Sequence, residues 1–222
     1  FAGLHDTYLD ICGEAELIIA IRRCWASLWT ARATAYRYRM GFAHRSAELA
    51  VVVQTMIEAD VAGVLFTANP LTGATDESVI NASWGLGESV VAGVVTPDEF
   101  TLSNTDFSLR RHSLGDKRSE IGRDPSSNSG TISREVAAAR RDAPCLDAEQ
   151  LQRLGAIGQQ VMSHYDGLPQ DIEWAYADAM FYVLQSRDVT GTTFAWDEEV
   201  DRWQNLPDEA ETVWSRAFAD EW

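Results

Sequence analysis

Four polar residues at the ends of one apolar hairpin have the types and spacing needed to bind a metal ion and a phosphate. The segment QDIEWAYADAMFYVLQSR carries Asp171 and Glu173 on its first arm and Gln185 and Arg187 on its second. Because side chains alternate across a strand, the two polar residues of each arm share one face. A three-residue loop at 178–180 would place each acid opposite a polar partner on the same face. A two-residue loop would put the polar residues of the two arms on opposite faces, and the sequence leaves this choice open.

Two kinds of structure fit this hairpin. In the first, the carboxylate of Glu173 and the amide oxygen of Gln185 converge, and such ligands suit Mg²⁺, which commonly binds through one or two protein groups plus substrate phosphates. The neighbouring Arg187 then suits phosphate recognition. In the second, Asp171 and Arg187 form a surface salt bridge at a polar hairpin end. The pattern alone does not separate the two.

Two glycine-containing segments are weaker candidates. GLGES at 85–89 does not fit a dinucleotide fingerprint, because Val90 stands where the third glycine would be. It is either a helix start that holds an anion or a tight, closely packed turn. FAGLHDTYLD places Gly3 close to Thr7, and this segment either cradles a phosphate or forms an ordinary turn. The four histidines form neither an HxxxH nor an HExxH pattern, which argues against a zinc site.

Composition excludes several classes of partner. The net charge of −16 argues against non-specific binding to nucleic acid and to anionic membranes. An anionic ligand would therefore need a metal ion or a local pocket of positive charge, and Lys117 is the only lysine. Three scattered cysteines without CxxC spacing favour buried free thiols in a reducing compartment, and hence a cytoplasmic location. No apolar run approaches the ~18 residues of a membrane-spanning helix.

The apolar pattern predicts an α+β domain. A 3–4 spacing over residues 14–40 indicates one amphipathic helix that ends at Gly41. Short apolar runs predict strands at 48–57, 62–69, 78–84 and from 98 onwards. Residues 103–145 are polar, which is typical of exposed strands and loops rather than of a core element. A second helix is predicted over 146–165, with Asp147 and Gln150 forming a capping box.

Five segments occur in an order that matches a known family. They are FAGLHDTYLDICG, CWASLWTARATAYR, VVVQTMIEADVAGVLFTANPLTG, INASWGLGESVVAGVVTPDEF and QDIEWAYADAMFYVLQSRDVT. The sequence over roughly residues 1–190 resembles the AMP/ATP-binding domain of the pyruvate phosphate dikinase group. That group includes phosphoenolpyruvate synthase (pyruvate, water dikinase) and the rifampicin phosphotransferases.

The resemblance implies an ATP-grasp fold, in which ATP lies between two α+β lobes. In such enzymes ATP is cleaved to AMP and phosphate, and a phosphoryl group passes through a histidine on a separate swivelling domain to a final acceptor. The resemblance assigns the phosphate-facing loop to Gly3 and Thr7. It assigns the adenine-binding strand end to Gln54, Thr55, Met56 and Ile57. It assigns the Mg²⁺ ligands to Glu173 and Gln185, and the phosphate-binding arginine to Arg187.

The chain departs from the family pattern at several places. Asp188 replaces the proline of the family's Q-S-R-P, and Leu4 stands where glutamine is common. The family's upstream lysine and arginine and its phosphohistidine motif are absent. We therefore expect a partial ATP-grasp domain over 1–190 that lacks its N-terminal part, followed by a linker over 191–222, and no complete phosphoryl transfer by this segment alone. Phosphoenolpyruvate synthase-like, rifampicin phosphotransferase-like and degenerate, non-catalytic nucleotide-binding functions remain alternatives.

Overall fold

A computed structural model describes residues 5–91, 93, 95–127 and 129–190 of the 222-residue chain. The helices are α1 Glu14–Ser27, α2 Ala31–Arg39, α3 Glu88–Val91, α4 Ala138–Arg141 and α5 Ala148–His164, with one 3₁₀ turn at His44–Ser46. The strands are β1 Val61–Phe66, β2 Glu77–Trp84, β3 Asp98–Ser103, β4 Leu109–Ser113, β5 Ser119–Arg123, β6 Thr131–Glu135, β7 Gln170–Ala177 and β8 Met180–Asp188. These elements confirm the predicted α+β class.

The chain divides into two compact units. The first comprises Phe1–Ile57 with Arg123–Ile132, and the second comprises Glu58–Gly122 with Ser133–Trp222. The predicted linker over 191–222 lies outside the described residues.

The second unit is built on one six-stranded antiparallel sheet. Its strand order is β4-β3-β2-β1-β7-β8, while β5 and β6 form a separate two-stranded sheet. One face of the large sheet contributes buried residues to the core, together with Leu151 and Leu154 of α5. The sheet residues of this core include Leu65, Ile80, Phe100, Leu102, Ile172 and Trp174. These residues recur at every second position of their strands, as a half-buried sheet requires.

Helix α5 lies close to the sheet because two of its core-facing positions are glycine. A Cβ atom added at Gly158 would lie 2.6 Å from the side chain of Leu65, and one at Gly155 would lie 2.9 Å from Phe107. The helix begins with the predicted capping box. The side chain of Asp147 accepts a hydrogen bond from the amide of Gln150, and the side chain of Gln150 accepts one from the amide of Asp147, both at 2.8 Å.

The single helix predicted over residues 14–40 is wrong, because the chain forms two helices there. α1 ends at Ser27, and Thr30 adopts an extended conformation (ψ 152°) before α2 begins. The Thr30 hydroxyl accepts a hydrogen bond from the amide of Ala33, so it caps the second helix. A threonine that bonds the backbone in this way favours a helix start over a helix interior. The predicted stop is correct, since Gly41 follows α2 with φ 73°.

The strand predicted over residues 48–57 is also wrong. These residues form no regular element, and Val52 and Val53 are 82% and 59% exposed. An apolar run has the composition of a strand, but a strand also needs a neighbour that accepts its backbone hydrogen bonds. None of the described residues pairs with this segment. The three later strands form as predicted, with small shifts at their ends.

The polar segment 103–145 supplies exposed strands, as predicted, but it also contributes to the core. Strand β4 is exposed along its whole length. Val136 and Cys145 are buried, and Lys117 is fully buried in an ion pair with Asp98. The expectation that this segment contains no core element is therefore wrong. The polar composition of the segment does not indicate that Lys117 is buried, because a buried charge is tolerated only where its partner is also buried, and the partner Asp98 lies outside the segment.

Candidate functional site

The hairpin formed by β7 and β8 brings its four polar residues together in two pairs. The turn has two residues, Asp178 and Ala179, both with positive φ (50° and 58°), as in a type I′ turn. A regular ladder from that turn would put the polar residues of the two arms on opposite faces. The register instead shifts by one residue between Glu173 and Trp174.

A bulge on β8 explains this shift. Trp174 pairs with Val183 and Glu173 pairs with Gln185, so Leu184 is the additional residue. From the bulge onward Asp171 pairs with Arg187. The short turn and the bulge together produce the pairing that a three-residue loop would have given.

These four residues lie on the sheet face opposite the core. Ile172 and Trp174 are fully buried in the core, and Asp171 and Glu173 alternate with them. Residues that pair directly across antiparallel strands share a face, so Gln185 and Arg187 lie on the same side as the two acids. We call this surface the polar sheet face.

Asp171 holds Arg187 through two nitrogen atoms. Its Oδ2 atom accepts a hydrogen bond from Nε at 2.8 Å and lies 2.7 Å from Nη2. The side chain of Asp171 is 10% exposed and that of Arg187 is 48% exposed. Thus the anticipated ion pair forms, but its acid is buried, so it differs from a flexible surface salt bridge. The aspartate fixes the plane of the guanidinium and leaves Nη1 without a partner among the described residues.

Glu173 is half-buried and has no ion-pair partner in the described part of the chain. Burial raises the pKa of its carboxyl, the nearby Arg187 opposes this effect, and Asp171 adds to it. A partly desolvated carboxylate beside the amide of Gln185 is a donor set that a hard cation such as Mg²⁺ accepts. The residues present therefore fit a magnesium ion.

Asp188 does not disturb Arg187. The register pairs Asp188 with Gln170, on the opposite side of the sheet from the polar sheet face. Its Oδ1 atom accepts a hydrogen bond of 2.7 Å from Nε2 of the fully buried Gln170. The acid that replaces the family's proline is thus engaged on the other face, although it is the next residue in the sequence.

Thr7 and residues 54–57, the other predicted site residues that the structure describes, belong to the first unit. Gly3 lies outside the described residues, and Thr7 is exposed in an irregular segment. The other four occupy the irregular segment that ends at the boundary between the units: Gln54, Thr55 and Met56 are exposed and Ile57 is half-buried. The structure therefore brings together Glu173, Gln185 and Arg187, and the roles predicted for the first-unit residues stay predictions.

The first two residues of the GLGES segment are closely packed, and helix α3 begins within the segment at Glu88. The amides of Gly85 and Leu86 donate to the carbonyl oxygens of Asp60 and Ile121, at 3.0 and 2.8 Å. A Cβ atom at Gly85, whose φ is 74°, would lie 2.4 Å from the Ile121 oxygen. These two amides are therefore not available to an anion.

Asn81 and Glu99 are polar residues of the polar sheet face that were missed in the sequence. Asn81 of β2 pairs with Val64, which in turn pairs with Glu173, and on its other side Asn81 pairs with Glu99 of β3. The sequence SVINASW contains a sign of a functional residue, because Asn81 is a polar residue in a strand whose other residues are apolar or small. Only the strand order shows that it lies in the row of Glu173.

Other features limit the kinds of site that the described residues offer. None of them forms a group of three or more His, Cys, Asp or Glu able to hold a metal ion. No helix among them is long and apolar enough to cross a membrane. All three cysteines are free, but only Cys145 is buried, whereas Cys24 is half-buried and Cys12 is exposed.

The fold and this face define the second unit as an α+β domain with one apolar sheet face and one polar sheet face. Comparison with known families makes the class specific, since "Pyruvate phosphate dikinase, AMP/ATP-binding domain" matches residues 1–205. The chain belongs to this family of AMP/ATP-binding domains.

Relatives of the chain have several names. The chain is 44% identical over 207 residues to a probable phosphoenolpyruvate synthase of Pyrococcus abyssi, an alignment that covers 90% of this chain and 25% of the relative. It is 43% identical to the prodigiosin synthesizing transferase PigC of Serratia marcescens and 39% identical to a rifampicin phosphotransferase of Streptomyces sp. Each of these two alignments covers 86% of this chain and 21% of the relative. The chain thus spans about a quarter or less of the relatives it matches.

Proposed function

We propose that this chain is the ATP-binding segment of an ATP-dependent phosphotransferase of the dikinase type, with a partial ATP-grasp fold. The observation that carries the proposal is the register of β7 and β8, which pairs Glu173 with Gln185 and Asp171 with Arg187 on one sheet face. This geometry coincides with the family membership of the chain. The names of the relatives support a transferase but differ in the compound acted upon.

On this proposal Glu173 and Gln185 hold Mg²⁺, and Arg187 binds a phosphate of ATP. When bound, the metal ion supplies positive charge that neutralises the phosphoryl group under transfer. Arg187 contributes a second, fixed positive charge through the part of its guanidinium that Asp171 leaves open. The buried carboxylate of Asp171 keeps that guanidinium in one orientation, which suits recognition of a charged oxygen at a defined position.

The family resemblance supplies the remaining proposed roles. Gly3 and Thr7 would face the phosphates, and the segment Gln54–Ile57 would hold adenine largely through backbone groups. ATP would be cleaved to AMP, with one of its two terminal phosphoryl groups passing to a histidine on a separate domain and then to the acceptor, and the other transferred to water and released as phosphate. We propose a phosphoenolpyruvate synthase-like acceptor, pyruvate, in a cytoplasmic protein.

Calorimetric titration with ATP tests the metal and phosphate roles. Both the 222-residue chain and the complete product of its gene are titrated, with and without Mg²⁺. Glu173→Gln removes the charge of the proposed ligand, and loss of one charge-assisted interaction of about 1.5–3 kcal/mol corresponds to about 10- to 100-fold weaker binding. Glu135→Gln is the matched control, because Glu135 is an exposed acid on the two-stranded sheet.

The outcomes separate three functions. Mg²⁺-dependent ATP binding that Glu173→Gln weakens, with AMP formed by the complete gene product, supports the proposal. The same binding without AMP formation in the complete gene product identifies a degenerate, non-catalytic nucleotide-binding module. AMP formation that depends on rifampicin, rather than on pyruvate, identifies an antibiotic phosphotransferase. Absence of ATP binding to the complete gene product refutes the proposal.

A further inference from the structure

We infer that Asn81 is a further binding residue of this site, and that its side-chain amide donates a hydrogen bond to the β- or γ-phosphate of the bound nucleotide. The inference rests on the proposed function and adds a residue to which no role has been assigned. It starts from the strand register: Asn81 pairs with Val64 and Val64 with Glu173, so all three side chains leave the sheet on the polar face.

The amide of Asn81 is unused, unlike those of the other asparagines that the structure describes. Asn69 donates to Glu77 at 2.7 Å, and Asn104 donates to the carbonyl oxygens of Thr67 and Thr75 at 2.9 and 2.8 Å. Asn81 is half-buried, and its side chain forms no hydrogen bond with any described residue. The amide of Asn81 is therefore open to a ligand on this face, whereas the amides of Asn69 and Asn104 are occupied within the protein.

The spacing of the strands favours a phosphate over the metal ion as that ligand. Neighbouring strands lie about 4.8 Å apart, so Asn81 and Glu173, two strands apart, are separated by about 10 Å. Side chains stand roughly perpendicular to a sheet, and Mg²⁺ binds oxygen at about 2 Å, so one ion does not readily reach both residues. A triphosphate chain bound near Glu173 would be long enough to extend across Val64 to Asn81.

The charge next to Asn81 is compatible with a phosphate. Glu99 pairs directly with Asn81 and would repel an anion, but Nη2 of Arg111 lies 3.2 Å from its Oε1 atom. This ion pair cancels the charge of Glu99 on the polar sheet face. Val64, between the two polar residues, is half-buried and carries no charge that would oppose a phosphate.

Titration of substituted chains with Mg·ATP and with AMP tests the inference, in the complete gene product and with thermal unfolding as a check on folding. Asn81→Leu, of nearly equal volume, is expected to weaken Mg·ATP binding about tenfold and to leave AMP binding unchanged, because AMP lacks the phosphates beyond the first. Asn81→Asp is expected to weaken Mg·ATP binding further, through repulsion of the phosphates. Ser113→Ala is the control, because Ser113 ends the same row beside Glu99 at the sheet edge.

Each alternative result has a distinct meaning. If Glu173→Gln weakens Mg·ATP binding and Asn81→Leu does not, this inference fails while the proposed function stands. Tighter Mg·ATP binding by Asn81→Asp would make Asn81 a metal ligand and overturn the phosphate role, as would an equal loss of ATP and AMP binding. If the unsubstituted protein binds no ATP, the proposed function and this inference fail together.

Discussion

Replacement of Asp171 by asparagine separates the orientation of Arg187 from the overall charge of the hairpin. The substitution keeps the shape of the side chain and one acceptor oxygen, but it removes the negative charge that both Nε and Nη2 of Arg187 contact. Two opposite effects follow. The guanidinium loses its fixed plane, which weakens phosphate binding, and the site gains one net positive charge, which strengthens it.

The burial of the pair determines which effect is larger. Asp171 is 10% exposed, so its carboxylate is held in one place, whereas Arg187 is 48% exposed and its charge is screened by water. The gain from net charge is therefore well under 1 kcal/mol, as for exposed pairs. Loss of a charge-assisted, two-nitrogen contact costs about 1.5 kcal/mol or more in positioning, which is about tenfold in affinity. We expect Asp171→Asn to weaken Mg·ATP binding about tenfold.

Asp188→Asn is the matched control. It removes the same charge from a residue adjacent to Arg187 in sequence, but Asp188 accepts its hydrogen bond from Gln170 on the other face. We expect this variant to bind Mg·ATP like the unsubstituted chain in calorimetric titration. Equal or tighter binding by Asp171→Asn would refute the positioning argument, as would equal effects of the two substitutions, because the response would then follow charge alone.

Three further predictions concern the second unit. Lys117→Met should cost about 3–5 kcal/mol of unfolding free energy in urea, because the buried Asp98 loses its counter-charge and keeps only hydrogen bonds from two backbone amides. Adding Asp98→Asn should restore part of that loss, and equal losses in the single and double variants would refute this. Cys145 is buried and should resist a thiol reagent in the native protein. Because burial raises the pKa of its thiol, the unfolded chain loses the thiol proton at a lower pH than the folded chain, and the free energy of unfolding should fall above a pH of about 8.5. A free energy of unfolding that does not change with pH in that range would contradict this. Deletion of Leu184 should preserve Mg·ATP binding because it removes only the bulge residue. Deletion of Ser186 should abolish binding because it moves the side chain of Arg187 to the other face of the sheet, and equal effects of the two deletions would contradict the register.

The hairpin shows how far local sequence specifies this site. Alternation correctly predicts that Asp171 and Glu173 share a face, because the period of a strand is a covalent property of the backbone. The length of the turn and the bulge at Leu184 were not predictable, since each depends on the other and on packing against β1. An argument from loop length alone would have separated the pairs that the structure brings together.

The other errors have similar causes. The valine-rich run before Ile57 has the composition of a strand, but nothing in those residues specifies a pairing neighbour. The break between α1 and α2 was in principle visible, because Ser27 and Thr30 are residues that favour helix ends. Lys117 in a polar segment gave no sign of burial, since its partner Asp98 lies 19 positions away in the sequence.

The charges of the polar sheet face explain why the free nucleotide should bind poorly without a cation. Four acids lie on this face by register, and three of them have arginine partners: Asp171 with Arg187, Glu99 with Arg111 and Glu77 with Arg110. Only Glu173 is without such a partner among the described residues, and it is also the acid whose pKa burial raises. The unbalanced charge of the face is therefore negative and localised at one carboxylate. In a chain of net charge −16, ATP alone would meet repulsion there, whereas ATP that arrives with Mg²⁺ brings the charge that this carboxylate requires.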